Sequence, residues 1–215
     1  MPTTPTSMET SSAQPVHAII PLALLEAMRQ LDAPAPETPT EYQAELSTKR
    51  LGTSGTVAAQ IERFEALARR NARVDAAEVA GLLRLAGRRG DASLVFANAG
   101  RRAAEHAAAR ASRVGRLVWR MLPGFARDRV GFRLARRAAE STLGVTLSRE
   151  GPRVIAVARD LPSASATPDG SACGLYGSAV AALLRTFTEF DGALMHAGCR
   201  AQGAPECHWQ SAGKS

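Results

Sequence analysis

The sequence predicts an α+β fold, a helical N-terminal part followed by a small antiparallel sheet with packed helices. Three observations carry this. Apolar residues recur at helical spacing through most of residues 16–143, the period switches to two on either side of Glu150-Gly151-Pro152, and all three cysteines fall at position 173 or later. Hydrophobic residues make up 45% of the 215, enough for a sizeable core, whereas aromatics are only 5% and Ala is abundant. The helices are therefore expected to pack closely through small side chains.

Residues 1–15 are rich in Thr, Ser and Pro and are expected to form a disordered tail. Val16 to Leu31 is the first apolar segment, with Pro21 near the first turn of a helix. A Pro-rich joint at Pro34 and Pro36 leads to Thr38-Pro39-Thr40-Glu41, a capping box with Pro at the first helical position. Val57, Ile61, Phe64 and Leu67/Ala68 then mark an amphipathic helix over Thr56–Arg70. Asp75-Ala-Ala-Glu78 opens another, and Asp91 or Ser93 caps the Ala-rich helix through Ala111. Leu117-Val-Trp-Arg-Met-Leu122 ends at the breaker Pro123-Gly124. Phe125 to Leu143 is a helix closed by Gly144.

Val145–Arg149 and Arg153–Arg159 flank Glu150-Gly151-Pro152 as a hairpin. A Ser/Pro/Gly loop over Pro162–Ser171 leads to Cys173. Ser178–Phe190 reads as a helix, and Ala193–Arg200 and Glu206–Gln210 as the last two strands.

Net charge is +7, and it is uneven. Residues 101–137 hold eleven Arg against Glu105 and Asp128, so one basic patch sits on a nearly neutral body. No recognised nucleic-acid module accompanies the patch, so nucleic acid is not the expected partner. An anionic membrane surface, an acidic protein or plain solvent remains open. The N-terminus has neither a basic start nor an apolar run, and no stretch approaches the ~20 apolar residues of a membrane span. A cytoplasmic protein is expected. A homodimer is compatible with the sequence, which does not specify oligomeric state.

The C-terminal part gathers the chemistry. His196-Ala-Gly-Cys199 sets two soft ligands three residues apart, and a Gly- and Pro-containing loop returns Cys207 eight residues later. Cys173 lies 26 positions before Cys199, room for a helix between them. Cys₃His is a set that zinc accepts in closed tetrahedral sites. The alternative is three buried free thiols. Three is an odd number for a disulfide framework, and thiolates on one metal suit a reducing compartment. His208 also lies nearby, but adjacent strand residues face opposite sides, so it should point away from the Cys207 position. The expected organisation is a tail (1–15), one domain (16–210; helical over 16–143, metal-bearing over 145–210) and a short tail (211–215).

At Cys173…His196-Ala-Gly-Cys199-Arg-Ala-Gln-Gly203-Ala-Pro-Glu-Cys207-His-Trp209 the chain resembles the end of the 4-vinyl reductase domain. That family's pattern is a Cys before a helix, then Glu-x-x-Cys-x-x-x-Gly-x-x-x-Cys-x-aromatic. From about Asn98 to Trp209 the chain is most similar to the bacteriochlorophyll 4-vinyl (divinyl protochlorophyllide 8-vinyl) reductase proteins. The features are Ala99-Gly100-Arg101, Leu117-Val-Trp-Arg-Met-Leu-Pro123, Arg133-Leu-Ala-Arg-Arg-Ala-Ala139 and the Cys tail. The resemblance implies the ligand-binding fold shared with phenol-sensing regulator domains and vesicle-tethering subunits. It also implies a structural zinc on Cys173, Cys199 and Cys207. His196 stands where the family carries Glu, and imidazole serves zinc equally. Gly174 stands where relatives often carry an aromatic.

The implied activity, vinyl reduction in photosynthetic pigment biosynthesis, needs a hydride donor. Gly52-Thr-Ser-Gly55 and Gly174-Leu-Tyr-Gly177-Ser are too short for a nicotinamide fingerprint, and no cysteines are left for an iron–sulfur cluster. The expected function is therefore tetrapyrrole binding, with reduction absent or dependent on a partner enzyme of the pathway. A sensing module or a structural adaptor acting through partners is the alternative.

Candidate pocket residues follow from the same logic. Trp119, Phe125 and Phe132 lie among arginines, of which Arg133 and Arg136 are chosen to hold a propionate, since guanidinium pairs with carboxylates and stacks on flat π-systems. A solvated helix face is the alternative. His106 is a candidate axial ligand or hydrogen-bond donor, against an ordinary surface histidine. Tyr176 is a further candidate, against plain core packing.

Overall fold

The structure, a computed structural model, describes residues 14–33, 52, 54–110 and 123–212, with Gly124 and Phe125 described by backbone alone. The expected tail up to residue 13, the Pro34–Pro36 joint, the Thr38–Glu41 capping box and the Leu117–Leu122 segment lie outside the described residues.

Helix α1 (Ile19–Asp32) buries Ile19, Ile20, Leu22, Leu24, Leu25 and Met28. A helix apolar on nearly every side belongs inside the fold. It is preceded by strand β1 (Val16–His17), which pairs antiparallel with β2 (Arg73–Val74). The expected run of helices over 16–143 is thus interrupted by a two-residue ribbon. Strands this short offer no alternation for a period-two reading to detect.

Helix α2 (Gly55–Arg69) opens on Ser54, whose Oγ accepts from Val57 N at 3.3 Å. It buries the expected stripe, Val57, Ile61, Phe64 and Ala68. Helix α3 (Ala76–Gly87) opens on Asp75, whose carboxylate accepts from Ala77 N at 2.9 Å. Helix α4 (Ala92–Arg110) follows Asp91, and α5 (Gly124–Ala138) runs into a π-helical turn over Ala139–Leu143. Gly144 ends it with a left-handed φ of 69°.

Four strands then form one antiparallel sheet in the order β3 (Thr146–Glu150), β4 (Arg153–Ala158), β6 (Cys207–Ser211), β5 (Leu194–Gly198). The hairpin register pairs Glu150 with Arg153, so Gly151 and Pro152 are its two-residue loop. Between β4 and β6 come α6 (Pro162–Ala166) and α7 (Cys173–Phe187). The expected Pro162–Ser171 loop thus contains a short helix with Pro at its start, a favoured position. Helix α7 begins five residues before the expected Ser178, because Gly174 and Gly177 hide the helical signal.

One face of the sheet is buried through Leu147, Ala156, Cys207 and Trp209, while the other keeps Ile155, Val157, His208 and Gln210 half-exposed. Helix α7 covers the buried face: a Cβ added at Gly177 would lie 2.9 Å from Trp209 Nε1. Helix α4 packs against α7 so closely that a Cβ at Gly100 would meet Leu175 O at 2.4 Å. Ala99, Ala103, Ala104, Ala107, Ala179 and Val180 are buried in the same region. This is the small-residue packing expected from the composition. Ser211, placed beyond the domain by sequence, is buried, and its Oγ accepts from Val154 N at 2.9 Å.

Candidate metal centre

Cys173 is the first residue of α7, Cys199 directly follows β5, and Cys207 is the first residue of β6. His196 lies within β5, opposite Trp209 of β6. In a regular strand His196 and Cys199, three apart, would face opposite sides. A register shift between His196 and Gly198 breaks that alternation. The irregularity brings both side chains to the same group, a use typical of bulges beside functional sites.

The ligand atoms of Cys173, His196, Cys199 and Cys207 all lie within 4.8 Å of one another. Cys173 Sγ is 3.9 Å from Cys199 Sγ and 3.9 Å from Cys207 Sγ. The three thiols are buried and His196 is exposed. The group could hold a metal ion, closed on the protein side by sulfur and reached from solvent past the imidazole. No disulfide joins the cysteines.

The surroundings favour negative charge on the sulfur of Cys207. Hydrogen bonding from Cys173 holds the Cys207 thiol down to about 5, helped by the Arg200 N–H at 3.4 Å and by His196. Cys173, which supplies that bond and is fully buried, is pushed up in turn. Ser163 Oγ lies 3.2 Å from Cys173 Sγ, also buried. Gly170 adopts φ +73°, and a Cβ there would meet Cys199 Sγ at 2.5 Å, so the loop can pass the cysteine only as glycine. His196 is stacked on Trp209, with ring centroids 5.0 Å apart and planes 14° from parallel.

Sequence reasoning did not single out Ser163, Gly170, the Arg200 amide or the Trp209 stack. The first two sit in the Ser/Pro/Gly segment read as a plain connection. The other two depend on strand register. As expected, His208 turns away from the group and its ring lies over Gly198, whose added Cβ would come within 2.5 Å of it.

The candidate pocket residues do not converge. Tyr176 is fully buried on α7 and lines a cavity of about 510 Å³ with β1, β2 and the end of β4. His106 lines a separate cavity of about 330 Å³ beside α1 and α2. There its Nε2 is 2.9 Å from Glu26 Oε2, in a partly buried pair. Phe132, Arg133 and Arg136, on α5, line neither cavity. Arg149 lies over the Phe132 ring at 4.3 Å, Arg133 is exposed, and Arg136 is 3.7 Å from Glu140. Trp119 lies outside the described residues, and the Phe125 side chain is not described. No helix among the described residues is long and apolar enough to cross a membrane.

Family models, curated proteins and solved structures return no significant match to this chain.

Proposed function

We propose that the chain is a zinc-stabilised ligand-binding protein of the 4-vinyl reductase kind. Its ligand is a divinyl protochlorophyllide-type tetrapyrrole of bacteriochlorophyll biosynthesis, and it serves as the vinyl reductase or as its carrier. The Cys₃His group carries this reading. Four tetrahedral bonds of about 2.3 Å put sulfurs about 3.8 Å apart, close to the 3.9 Å between Cys173 and each of its partners. Zinc also accepts a mixed Cys and His set without redox change. Such an ion ties the start of α7 to β5 and β6, so its binding free energy becomes folding free energy. It supplies shape and no electrons. With all three cysteines in that group none is left for an iron–sulfur cluster, so reduction is absent or depends on a partner that supplies the hydride.

The tetrapyrrole is assigned to the arginine face of α5, with Arg133 and Arg136 holding a propionate and Phe132 beside them. Quenching of tryptophan fluorescence by chlorophyllide tests this, in wild type and in Arg133→Gln/Arg136→Gln, at low and high salt. Weaker binding in the double variant, by no more than a few kcal/mol, and weaker binding at high salt are expected. Equal affinity in all four measurements reduces the arginines to a solvated face, and no quenching removes the tetrapyrrole. Elemental analysis of untagged protein tests the metal: one zinc per chain is expected.

A second reading, a small-molecule sensing module acting through partner proteins, is favoured by one observation. The cavity of about 510 Å³ beside Tyr176 has the size of a small-ligand site.

A further inference from the structure

Ser163, on α6, is fully buried, and its Oγ lies 3.2 Å from the equally buried Sγ of Cys173. Among the described residues that sulfur is the only hydrogen-bond partner of the Ser163 side chain. In the metal-free chain either atom can donate. A ligating cysteine, however, is a thiolate with no proton. In the loaded group the hydroxyl must therefore donate and the sulfur accept. A hydroxyl this deep has no water to turn to, and left unpaired it would cost free energy.

The charge of the loaded group calls for such donors. Zinc brings two positive charges, and Cys173, Cys199 and Cys207 bring three negative ones. With a neutral His196 the group carries one net negative charge on buried sulfurs. Buried charge is costly unless it is hydrogen-bonded. Cys207 Sγ accepts from the Arg200 N–H at 3.4 Å, a backbone donor fixed by the turn that follows β5. No backbone N–H among the described residues reaches Cys173 Sγ. Its other neighbours are the two thiols, at 3.9 Å each, and they lose their protons with it.

The fold holds Ser163 in place independently of this bond. Its carbonyl accepts from Thr167 N at 3.4 Å, and Thr167 Oγ accepts from Ala172 N at 3.1 Å just before α7. On the other side α6 lies against α3, where Arg84 donates to Ser165 O at 3.2 Å. The hydroxyl is thus carried on a segment anchored at both sides of the centre.

We propose that Ser163 is the hydrogen-bond donor to the Cys173 thiolate of the loaded centre and, with the Arg200 N–H on Cys207, offsets the charge of the buried sulfurs. Ser163 is not a ligand. It acts through Cys173, setting the electron density of that sulfur and the hold of the site on its ion. The inference rests on the zinc reading of the Cys₃His group and adds to it a residue outside the ligand set.

The test loads the full chain with cobalt(II), whose absorption reports its ligands, and compares wild type, Ser163→Ala and Ser163→Thr. All three should show the same ligand-field bands, since the four ligands are unchanged. The sulfur-to-cobalt charge-transfer band should move to longer wavelength in Ser163→Ala, because a thiolate without its hydrogen bond gives up electron density more easily. It should return to the wild-type position in Ser163→Thr, which keeps the hydroxyl. Zinc affinity, by competition with a chromophoric chelator, should fall about tenfold in Ser163→Ala, as for loss of an outer hydrogen bond on a ligand, and recover in Ser163→Thr. A serine that only fills space would leave the charge-transfer band where it is.

An unmoved band in Ser163→Ala, or a Ser163→Thr that matches Ser163→Ala, would overturn the proposal and leave the zinc reading intact. No metal uptake by the wild type would remove the zinc reading, and this donor with it. If Ser163→Ala gives no soluble protein, Ser163→Thr decides. A soluble variant with wild-type bands supports the hydroxyl, and an insoluble or band-shifted one overturns it.

Discussion

His196 lies flat on the indole of Trp209, their rings 5.0 Å apart and within 14° of parallel, across the β5–β6 pair. The only exposed member of the Cys₃His group is thus oriented by a fully buried aromatic that itself packs against α7 at Gly177. Outer contacts of this kind fix the ring orientation of a ligating histidine.

The stack makes the metal visible from the indole. Removing the ion with a chelator should change Trp209 emission, and adding zinc back should restore it. Trp209→Leu should keep the metal but bind it about tenfold more weakly, the lower end of the effect of losing a contact that orients a ligand. A competition titration against a chromophoric chelator measures this. Unchanged affinity would make the stack incidental.

Cys173 Sγ lies 3.9 Å from each of the other two sulfurs, and the residue is fully buried. In the sequence Cys199 lies between His196 and Cys207. In the structure Cys173→Ser should be at least as damaging as Cys199→Ala, and both should cost most of the soluble protein. His196→Ala should be milder, leaving three sulfurs and a position for water. Soluble yield and metal content across the three variants give the ranking. A well-folded, metal-free Cys173→Ser would argue against any structural ion.

Asp32, at the end of α1, accepts from both terminal nitrogens of Arg89 at 2.7 and 2.8 Å and from Gly52 N at 2.8 Å. The Arg89 hydrogen bonds hold its pKa below the usual carboxylate value, against the opposing effect of burial. A carboxyl depressed in the folded state stabilises fully above its unfolded pKa, about 4, and that stability is lost as pH falls through the folded value. Asp32→Asn should cost about 2–3 kcal/mol at neutral pH and flatten the loss of stability below about pH 4. Urea midpoints from pH 7 down to pH 3 would show both. Parallel curves for variant and wild type would exclude Asp32 from the acid limb.

His106 behaves in the opposite sense. Its hydrogen bond to the Glu26 carboxylate lifts its pKa above the ordinary 6.5, offset in part by burial. The stabilisation is present below about pH 6.5 and is lost as pH rises through the folded pKa. The imidazole is more than a third exposed, so solvent screening should keep the effect under about 1 kcal/mol. His106→Gln should remove this decline between pH 6 and 8, and the ring-proton NMR titration should move down in Glu26→Gln. A titration at the free-histidine value in wild type would disprove the pairing.

Much of the fold was legible in the sequence because its signals are local. Asp75 opens a helix and Gly144 closes one through their own side-chain or backbone chemistry. The Val57/Ile61/Phe64/Ala68 stripe and the Gly151-Pro152 hairpin are readable within a dozen residues. The four candidate ligands were legible as well, since Cys and His are rare here, although the helix that Cys173 opens was expected to start only at Ser178. Tertiary structure alone decided which ligands could meet. The register shift between His196 and Gly198 overrides the alternation that would separate His196 from Cys199, and the Gly170 backbone leaves room for sulfur. It also placed Tyr176, His106 and the α5 arginines in different parts of the molecule. Sequence reveals what a residue can do. Whether two such residues share a cavity depends on helix packing between segments far apart in the chain, and no local pattern encodes that.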